Sequence, residues 1–350
     1  MPAPARSPRF IAIAALAALA LAGCSSATGP ADPSTPATGT GAPAATGASA
    51  PIDDCGVEVT PMAEPAERIV AIKSTAADLV LALGLGDALV STAFLDGPLG
   101  AGGGSASAPS VPEVPTIEGM PSREAVLDLD PDAVVAGWES AFAPEAVGER
   151  GQLQQLGVQT WVSPAACWST EVPPLTWDAL LGEFEQAGAA LGVPDAGAAL
   201  AAEQRAALEA IEPLEPGEVL APAGDGALTA LWYSSGEDTP YVGAGSGAPQ
   251  LVLDAAGLTN VAADIDETWA TMSWEALAAS DPDVIVLVDA PWHTAASKIE
   301  RLLANPATAQ LTAVQEQRFV TVPFPLAEAG VGSVTAVQTV TDAVRAMGAR

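Results

Sequence analysis

The chain has 350 residues and a formal charge of −31 at pH 7, from 12 basic and 43 acidic residues. That acidity excludes nucleic acid as a partner, and the length exceeds the ~100 to 150 residues of one ordinary domain, so two domains plus tails are expected. A single histidine and three cysteines exclude a His-rich or Cys-paired metal site and an H-E-x-x-H hydrolase.

Arg6 and Arg9 precede an apolar run over residues 10–21. It is shorter than the ~20 residues of a comfortable membrane span and reads as a secretory signal, residues 1–23. Leu21-Ala22-Gly23-Cys24 resembles the bacterial lipobox, which makes Cys24 the expected lipidation site; an ordinary signal cleavage with Cys24 incidental is the alternative. Residues 24–51 are mainly Ser, Thr, Gly, Ala and Pro, too poor in apolar surface to offset their ordering entropy, and read as a flexible lipid-anchored tether. The protein is therefore expected to be exported and held at the outer face of the cytoplasmic membrane. With Cys24 acylated, Cys55 and Cys167 are left as an even pair in an exported chain, a candidate disulfide with two buried thiols as the alternative.

Residues 68–73 read as a buried strand, and Ser74 and Thr75 cap a helix over 76–83 that stops at Gly84. A strand over 89–95 follows, then a Gly/Ser/Pro insertion over 97–110 read as a mobile loop. Ser122 caps a helix that Pro131-Asp132 ends; a strand over 133–138, a helix near 144–156 and a strand over 159–162 complete a βαβ series. Residues 176–211 are helical with one break at Gly192-Val193-Pro194. A second series begins with a strand over 228–233, a glycine-rich turn over 243–247 and a helix over 248–256. Further strands fall at 260–263, 284–289 and 318–322.

The two series repeat one another: EAVLDLDPDAVV (124–135) is matched by EALAASDPDVIV (275–286), and DLVLALGLGD (78–87) by QLVLDAAGLTN (250–260). The fold expected is α/β, two Rossmann-like lobes, each with a mostly parallel central sheet, joined by one long linker helix. The N-terminal lobe is placed at 52–193, the linker helix at 194–212 and the C-terminal lobe at 213–350.

Glu124 and Glu275 stand near the starts of equivalent helices, where a carboxylate is worth ~0.3 to 1 kcal/mol against the helix dipole. That alone would explain them. ERIVAIKSTAADLVLALGLGDALV, PSREAVLDLDPDAVVAG and SWEALAASDPDVIVLVD, behind a lipobox, resemble the periplasmic-binding family that feeds ABC importers of iron-siderophores, cobalamin and haem, over residues 59–350. The resemblance implies a ligand in the interlobe cleft, a permease dimer with ATPase subunits as partners, and docking of Glu124 and Glu275 onto that permease. TAFLDG, GWES, VSPAAC, GAGSGAPQ and DETWATMSWEAL are similar to an actinobacterial subgroup assigned to a precursor of coenzyme F420, the phospholactyl deazaflavin F420-0. Residues 100–110 and Trp292-His293 depart from that pattern.

Ligands of open α/β sheets sit beyond the carboxyl ends of the strands. The candidates there are Lys73, Ser74, Thr75, Trp138, Glu139, Ser140, Ser163, Tyr233, Ser234, Asp289, Trp292, His293 and Phe324. Lys73, one of few cations, precedes a helix start and suits an anion, or else snorkels to solvent. Gly245 and Ser246 lie in a G-x-G-x-x-A variant of the dinucleotide fingerprint, with Asp264 and Asp266 roughly 20 residues on, and would cradle phosphate with their backbone. Trp138, Trp232, Trp269 and Trp292 are flat surfaces for stacking, or core. Ser246 lacks the flanks of a nucleophile elbow and no nucleophile has a base nearby, so no catalysis, cofactor or metal is expected. The reading is a monomeric, lipid-anchored solute-binding subunit of an ABC importer for an aromatic, acidic solute, best matched by F420-0. A ferric siderophore, haem or cobalamin is the rival ligand, and a surface sensory or adhesion module the rival class.

Overall fold

A computed structural model describes residues 50–103, 113–215, 217, 220 and 226–348. The expected signal, Cys24, the tether up to residue 49 and loop residues 104–110 lie outside the described residues. A hairpin of β1 (Ile52–Asp54) and β2 (Val57–Val59) comes first. The first sheet is then built from β3 (Ile69–Ile72), α1 (Ser74–Ala82), β4 (Leu89–Ala93), β5 (Thr116–Ile117), α2 (Arg123–Leu127), β6 (Ala133–Ala136), α3 (Arg150–Gln155) and β7 (Gln159–Val162). Its strands are all parallel, in the order β5-β4-β3-β6-β7. Every residue of β3 and β6 is buried, because a parallel sheet is covered on both faces and its strands need no polar alternation.

Two helices, α4 (Trp177–Ala190) and α5 (Pro194–Glu209), lead to the second sheet. They meet at glycines: a Cβ on Gly188 would sit 2.8 Å from the Cα of Gly197. The second sheet comprises β8 (Thr229–Ser235), β9 (Tyr241–Gly243), α6 (Ala248–Ala255), β10 (Thr259–Asn260), β11 (Trp269–Thr271), α7 (Trp274–Ser280), β12 (Val284–Asp289), α8 (Ala295–Ala304), α9 (Thr312–Gln315), β13 (Phe319–Pro323), α10 (Phe324–Ala327) and α11 (Ser333–Gly348). Its order is β11-β9-β8-β12-β13, with β10 also on β8; β9 pairs antiparallel with both β8 and β11, and the other pairings are parallel. The expected fold class therefore stands. No helix among the described residues is long and apolar enough to cross a membrane.

The repeated Asp-Pro-Asp has a physical explanation in both lobes. The first aspartates, Asp130 and Asp281, take positive φ at 48° and 35°, and the following proline prevents the helix from continuing. The second aspartates fasten the neighbouring strand: Asp132 accepts hydrogen bonds from the Glu67 and Arg68 amides at 2.7 and 3.0 Å, just before β3. In the second lobe Asp283 accepts from the amide and hydroxyl of Thr229, the first residue of β8, both at 2.8 Å. One short sequence thus ends a helix and pins the adjacent strand in each sheet.

Several boundaries differ from the sequence expectation. Lys73, not Ser74 or Thr75, is the N-cap of α1, and the Ser74 hydroxyl accepts from the Asp96 amide at 2.8 Å instead. The helix expected near 144–156 is confined to Arg150–Gln155, the strand expected at 260–263 is Thr259–Asn260, and the linker helix ends at Glu209 rather than 212. The start of the expected mobile loop is fastened, since the Asp78 carboxylate accepts from the Gly100 and Gly102 amides at 2.9 and 2.8 Å.

Candidate functional site

The carboxyl ends of β6, β7, β9 and β13 converge on a cleft of about 260 Å³ between the two sheets. The first lobe contributes Gly137 and Trp138, then Ser163 and the Ala165–Trp168 stretch; the second contributes Ser246–Ala248, Thr268, Trp269 and Glu328. Three indoles therefore line it, Trp138, Trp168 and Trp269. The lobes touch directly at its rim, where the Leu175 amide donates to the Ser246 carbonyl at 2.8 Å.

Below Trp138 lies Lys73, fully buried and at φ 82°, a conformation costly for a side chain bearing a Cβ. Its ammonium is ion-paired with Asp96 and stands 3.6 Å from the Trp138 ring centroid, 4.7 Å from that of Phe94 and 5.1 Å from that of Phe324. Phe94 and Trp138 belong to the first lobe and Phe324 to the second, so the aromatic cage spans both. Burial pushes the Asp96 carboxyl up, against the hydrogen bond and charge of Lys73. Lys73 is consequently not the free cation that the sequence suggested.

Glu328 reaches the same place from the second lobe. Its Oε1 accepts from Trp138 Nε1 at 2.7 Å, and burial pushes its carboxyl up to about 7, with the Lys73 charge opposing and that of Asp96 adding. On the first-lobe wall Ser163 donates to Glu183 at 2.8 Å, beside the Ala165 amide, which donates to the other oxygen at 2.8 Å. Burial pushes Glu183 up to about 8. Glu139 shapes the loop carrying Trp168: it accepts from the Trp168 and Ser169 amides at 2.6 and 2.9 Å and from the Ser169 hydroxyl. Burial raises the Glu139 carboxyl, but these donors and the Arg150 charge outweigh it, leaving the group below its ordinary value.

Cys55 and Cys167 form a disulfide, with Cα atoms 5.3 Å apart, that staples this wall to the β1–β2 hairpin. The hairpin is itself anchored: Asp54 pairs with Arg150 at 2.6 Å and accepts from the Val162 amide at 3.0 Å. Replacing both cysteines by serine is expected to lower the unfolding free energy by ~4 to 5 kcal/mol, the loop entropy of a closure over ~100 residues. A urea midpoint unchanged from wild type would contradict this.

On the second lobe the glycine turn is occupied by its own fold. The Gly245 and Ser246 amides donate to the Ile265 and Glu267 carbonyls at 2.9 and 3.0 Å, and Asn260 donates to the Gly243 and Ala244 carbonyls. Those two amides are unavailable for a phosphate, contrary to the reading of the glycines as a cradle.

Of the residues expected at the site, Trp138, Ser163, Ser246 and Trp269 line the cleft, with Lys73 against the Trp138 ring and Phe324 on the Lys73 ammonium. Thr75 and Glu183 line a smaller recess beside Ser163. Tyr233 and Ser234 are buried, Tyr233 donating its hydroxyl to the Gly236 carbonyl at 2.7 Å. Trp232 is fully buried core, Ser140 is exposed, and Trp292, 59% exposed, packs edgewise on Phe324 rather than on the cleft. Asp289 accepts from the Ala295 amide, and the His293 carbonyl accepts from Lys298. Sequence reasoning missed Trp168 and Glu328.

The periplasmic binding protein family model matches residues 69–326. Among solved structures, a periplasmic binding protein from Veillonella parvula is 21% identical with a TM-score of 0.67, over 85% of this chain and 97% of its own. An ABC-type Fe3+-hydroxamate transport system protein from Saccharomonospora viridis is 23% identical at a TM-score of 0.63, covering 84% and 98%. The periplasmic heme-binding protein RhuT from Roseiflexus is 25% identical at 0.59, covering 81% and 99%. No curated protein sequence matches the chain.

Proposed function

Because the chain belongs to the periplasmic binding protein family, we propose that it is the extracytoplasmic solute-binding subunit of an ABC importer. It captures a flat aromatic solute between its lobes and presents it to a permease dimer served by ATPase subunits. The observation that carries this reading is the cleft lined by Trp138, Trp168 and Trp269 and bridged by the Trp138–Glu328 hydrogen bond. Indole faces supply large, rigid stacking area, as a ring system requires. Cys24 carries the lipid anchor, and Glu124 and Glu275 dock the permease.

Within this function the specific ligand is F420-0, its deazaflavin ring against the tryptophans and its phosphate turned towards the cleft mouth, since Lys73 and the amides of Gly245 and Ser246 are taken. Haem is the less fitting rival. Haem iron takes His, Cys thiolate, Met or Tyr, and the described lining residues offer none of these, Cys167 being in a disulfide.

Titrating the chain from Ser25 onward with F420-0, hemin and a ferric siderophore, and following tryptophan emission, tests both levels. Tight binding of F420-0 alone is the expected result. Tight binding of hemin or siderophore alone keeps the importer subunit and overturns the ligand; binding of none overturns solute capture.

A further inference from the structure

Trp168 lines the cleft yet is 72% exposed, which puts it at the mouth rather than in the depth. The other two indoles are backed by protein: Trp269 stacks on Tyr241 with ring centroids 6.0 Å apart, and Trp138 rests against Phe94 and the Lys73 ammonium. Among the described residues no ring and no cation lies against the indole of Trp168.

What the protein fixes here is the backbone. Residues 167–175 hold no helix or strand, and they run from one wall of the cleft to the other. Their start is tied to the first lobe: Cys167 is bonded to Cys55, the Trp168 and Ser169 amides donate to Glu139 Oε2 at 2.6 and 2.9 Å, and the Ser169 hydroxyl donates to Oε1. Their end is tied to the second lobe, where the Leu175 amide donates to the Ser246 carbonyl at 2.8 Å. Glu139 itself is not among the residues lining the cleft. Bonds from backbone amides to an ionised carboxylate are stronger than those between neutral groups, so this anchor orders chain that has no ladder of its own.

We propose that Trp168 is the outer clamp of the solute site and Glu139 its positioning residue: the carboxylate fixes the start of the strap so that the indole closes over the outward end of a flat aromatic solute. This rests on the reading that the cleft holds the solute. A ring left uncovered on an ordered backbone is a preorganised surface, and stacking a solute on it costs little conformational freedom. Without the Glu139 anchor the solute must order the strap itself, and binding weakens although no group that touches the solute has changed.

The test uses the full chain in detergent, with F420-0 and hemin as probes, both flat ring systems. Affinity is read by calorimetry, because one variant lacks a tryptophan, and each variant is first shown to unfold cooperatively in urea. Trp168→Ala is expected to bind roughly tenfold more weakly than wild type, as removal of an aromatic anchor does. Glu139→Ala is expected to lose about fivefold. The double variant is expected to bind within about twofold of Trp168→Ala alone, since a residue that acts through the indole has nothing left to position. Glu139→Gln is expected to stay within about twofold of wild type: its carbonyl stands in for the oxygen that takes both amides, and its amide group donates to the Ser169 hydroxyl. Should Glu139→Ala fail to fold, Glu139→Asp, one methylene short of the two amides, takes its place in the cycle. Ala165→Trp fills the cleft and is expected to abolish binding.

Wild-type affinity in Trp168→Ala would overturn the clamp. Losses that multiply in the double variant, or a Glu139→Gln chain as weak as Glu139→Ala, would overturn the positioning role of Glu139. In each case the cleft reading stands, provided Ala165→Trp abolishes binding. Undiminished binding by Ala165→Trp, or a wild-type chain that binds neither probe, would overturn the cleft reading and this proposal with it.

Discussion

Cells carrying Glu124→Ala together with Glu275→Ala are expected to lose solute uptake, while the purified double variant binds its solute with unchanged affinity. Both carboxylates are exposed in the first turns of α2 and α7, and neither has an ion pair among the described residues. Neither lines the cleft. Their helix starts are capped independently, Ser122 accepting from the Ala125 amide at 3.2 Å and Ser273 from the Ala276 amide at 3.1 Å. Removing each carboxylate therefore costs the fold only ~0.3 to 1 kcal/mol of helix-dipole interaction. What is lost is a matched pair of outward-facing charges, one per lobe, the pair proposed above to meet the permease. Transport assayed in cells beside ligand affinity in solution separates the two roles. Unimpaired uptake would reduce both residues to helix-terminal charges.

Raising the pH from about 5 to about 8 is expected to destabilise the fold by several kcal/mol, on the scale of ~1.4 kcal/mol per unit of pKa shift. Burial pushes Asp54 and Asp78 up to about 6, Glu328 up to about 7 and Glu183 up to about 8. Unfolded, these carboxyls titrate near their ordinary values of 3.8 and 4.5. Over the interval between, the folded chain binds more protons than the unfolded one, so stability is highest at the acidic end, and each group's contribution declines up to its raised value and levels off above it. Lys298 acts oppositely, burial pushing it down to about 8, but its contribution develops only above that value. Urea midpoints should fall across this range, and Glu183→Gln should remove the largest share of the slope. A midpoint that climbs towards pH 8 would contradict the burial of these groups.

How much of this was legible in the sequence depended on whether the determining contact was local. Gln159–Val162 and Val284–Asp289 match the expectation residue for residue; in the latter the buried stretch Val284–Val288 reads as an unbroken apolar run, as a parallel strand covered on both faces does. The C-terminal helix α11 was overlooked: its Val334, Val337, Val340 and Val344 recur at helical spacing, but valine and threonine argue for strand. The Lys73–Asp96 pair joins the ends of two parallel strands 23 positions apart, and no local pattern announces it. Trp168 sits in irregular chain, and its one signal was adjacency to an expected disulfide cysteine. Glu328 was within reach, four residues beyond Phe324, had the strand-end rule been carried through the following turn. The repeat was found from spacing alone, while its cause, an aspartate fastening a neighbouring strand, needed coordinates.

The contact between Gly188 and Gly197 bears on mechanics. With no side chain between them, the backbones of α4 and α5 lie against each other like two halves of a splint. The helix leading towards the second sheet is thereby held directly against the one before it. A single methyl group on Gly188 would act as a wedge in that splint, altering the angle between the lobes without touching the solute, the permease or the cleft.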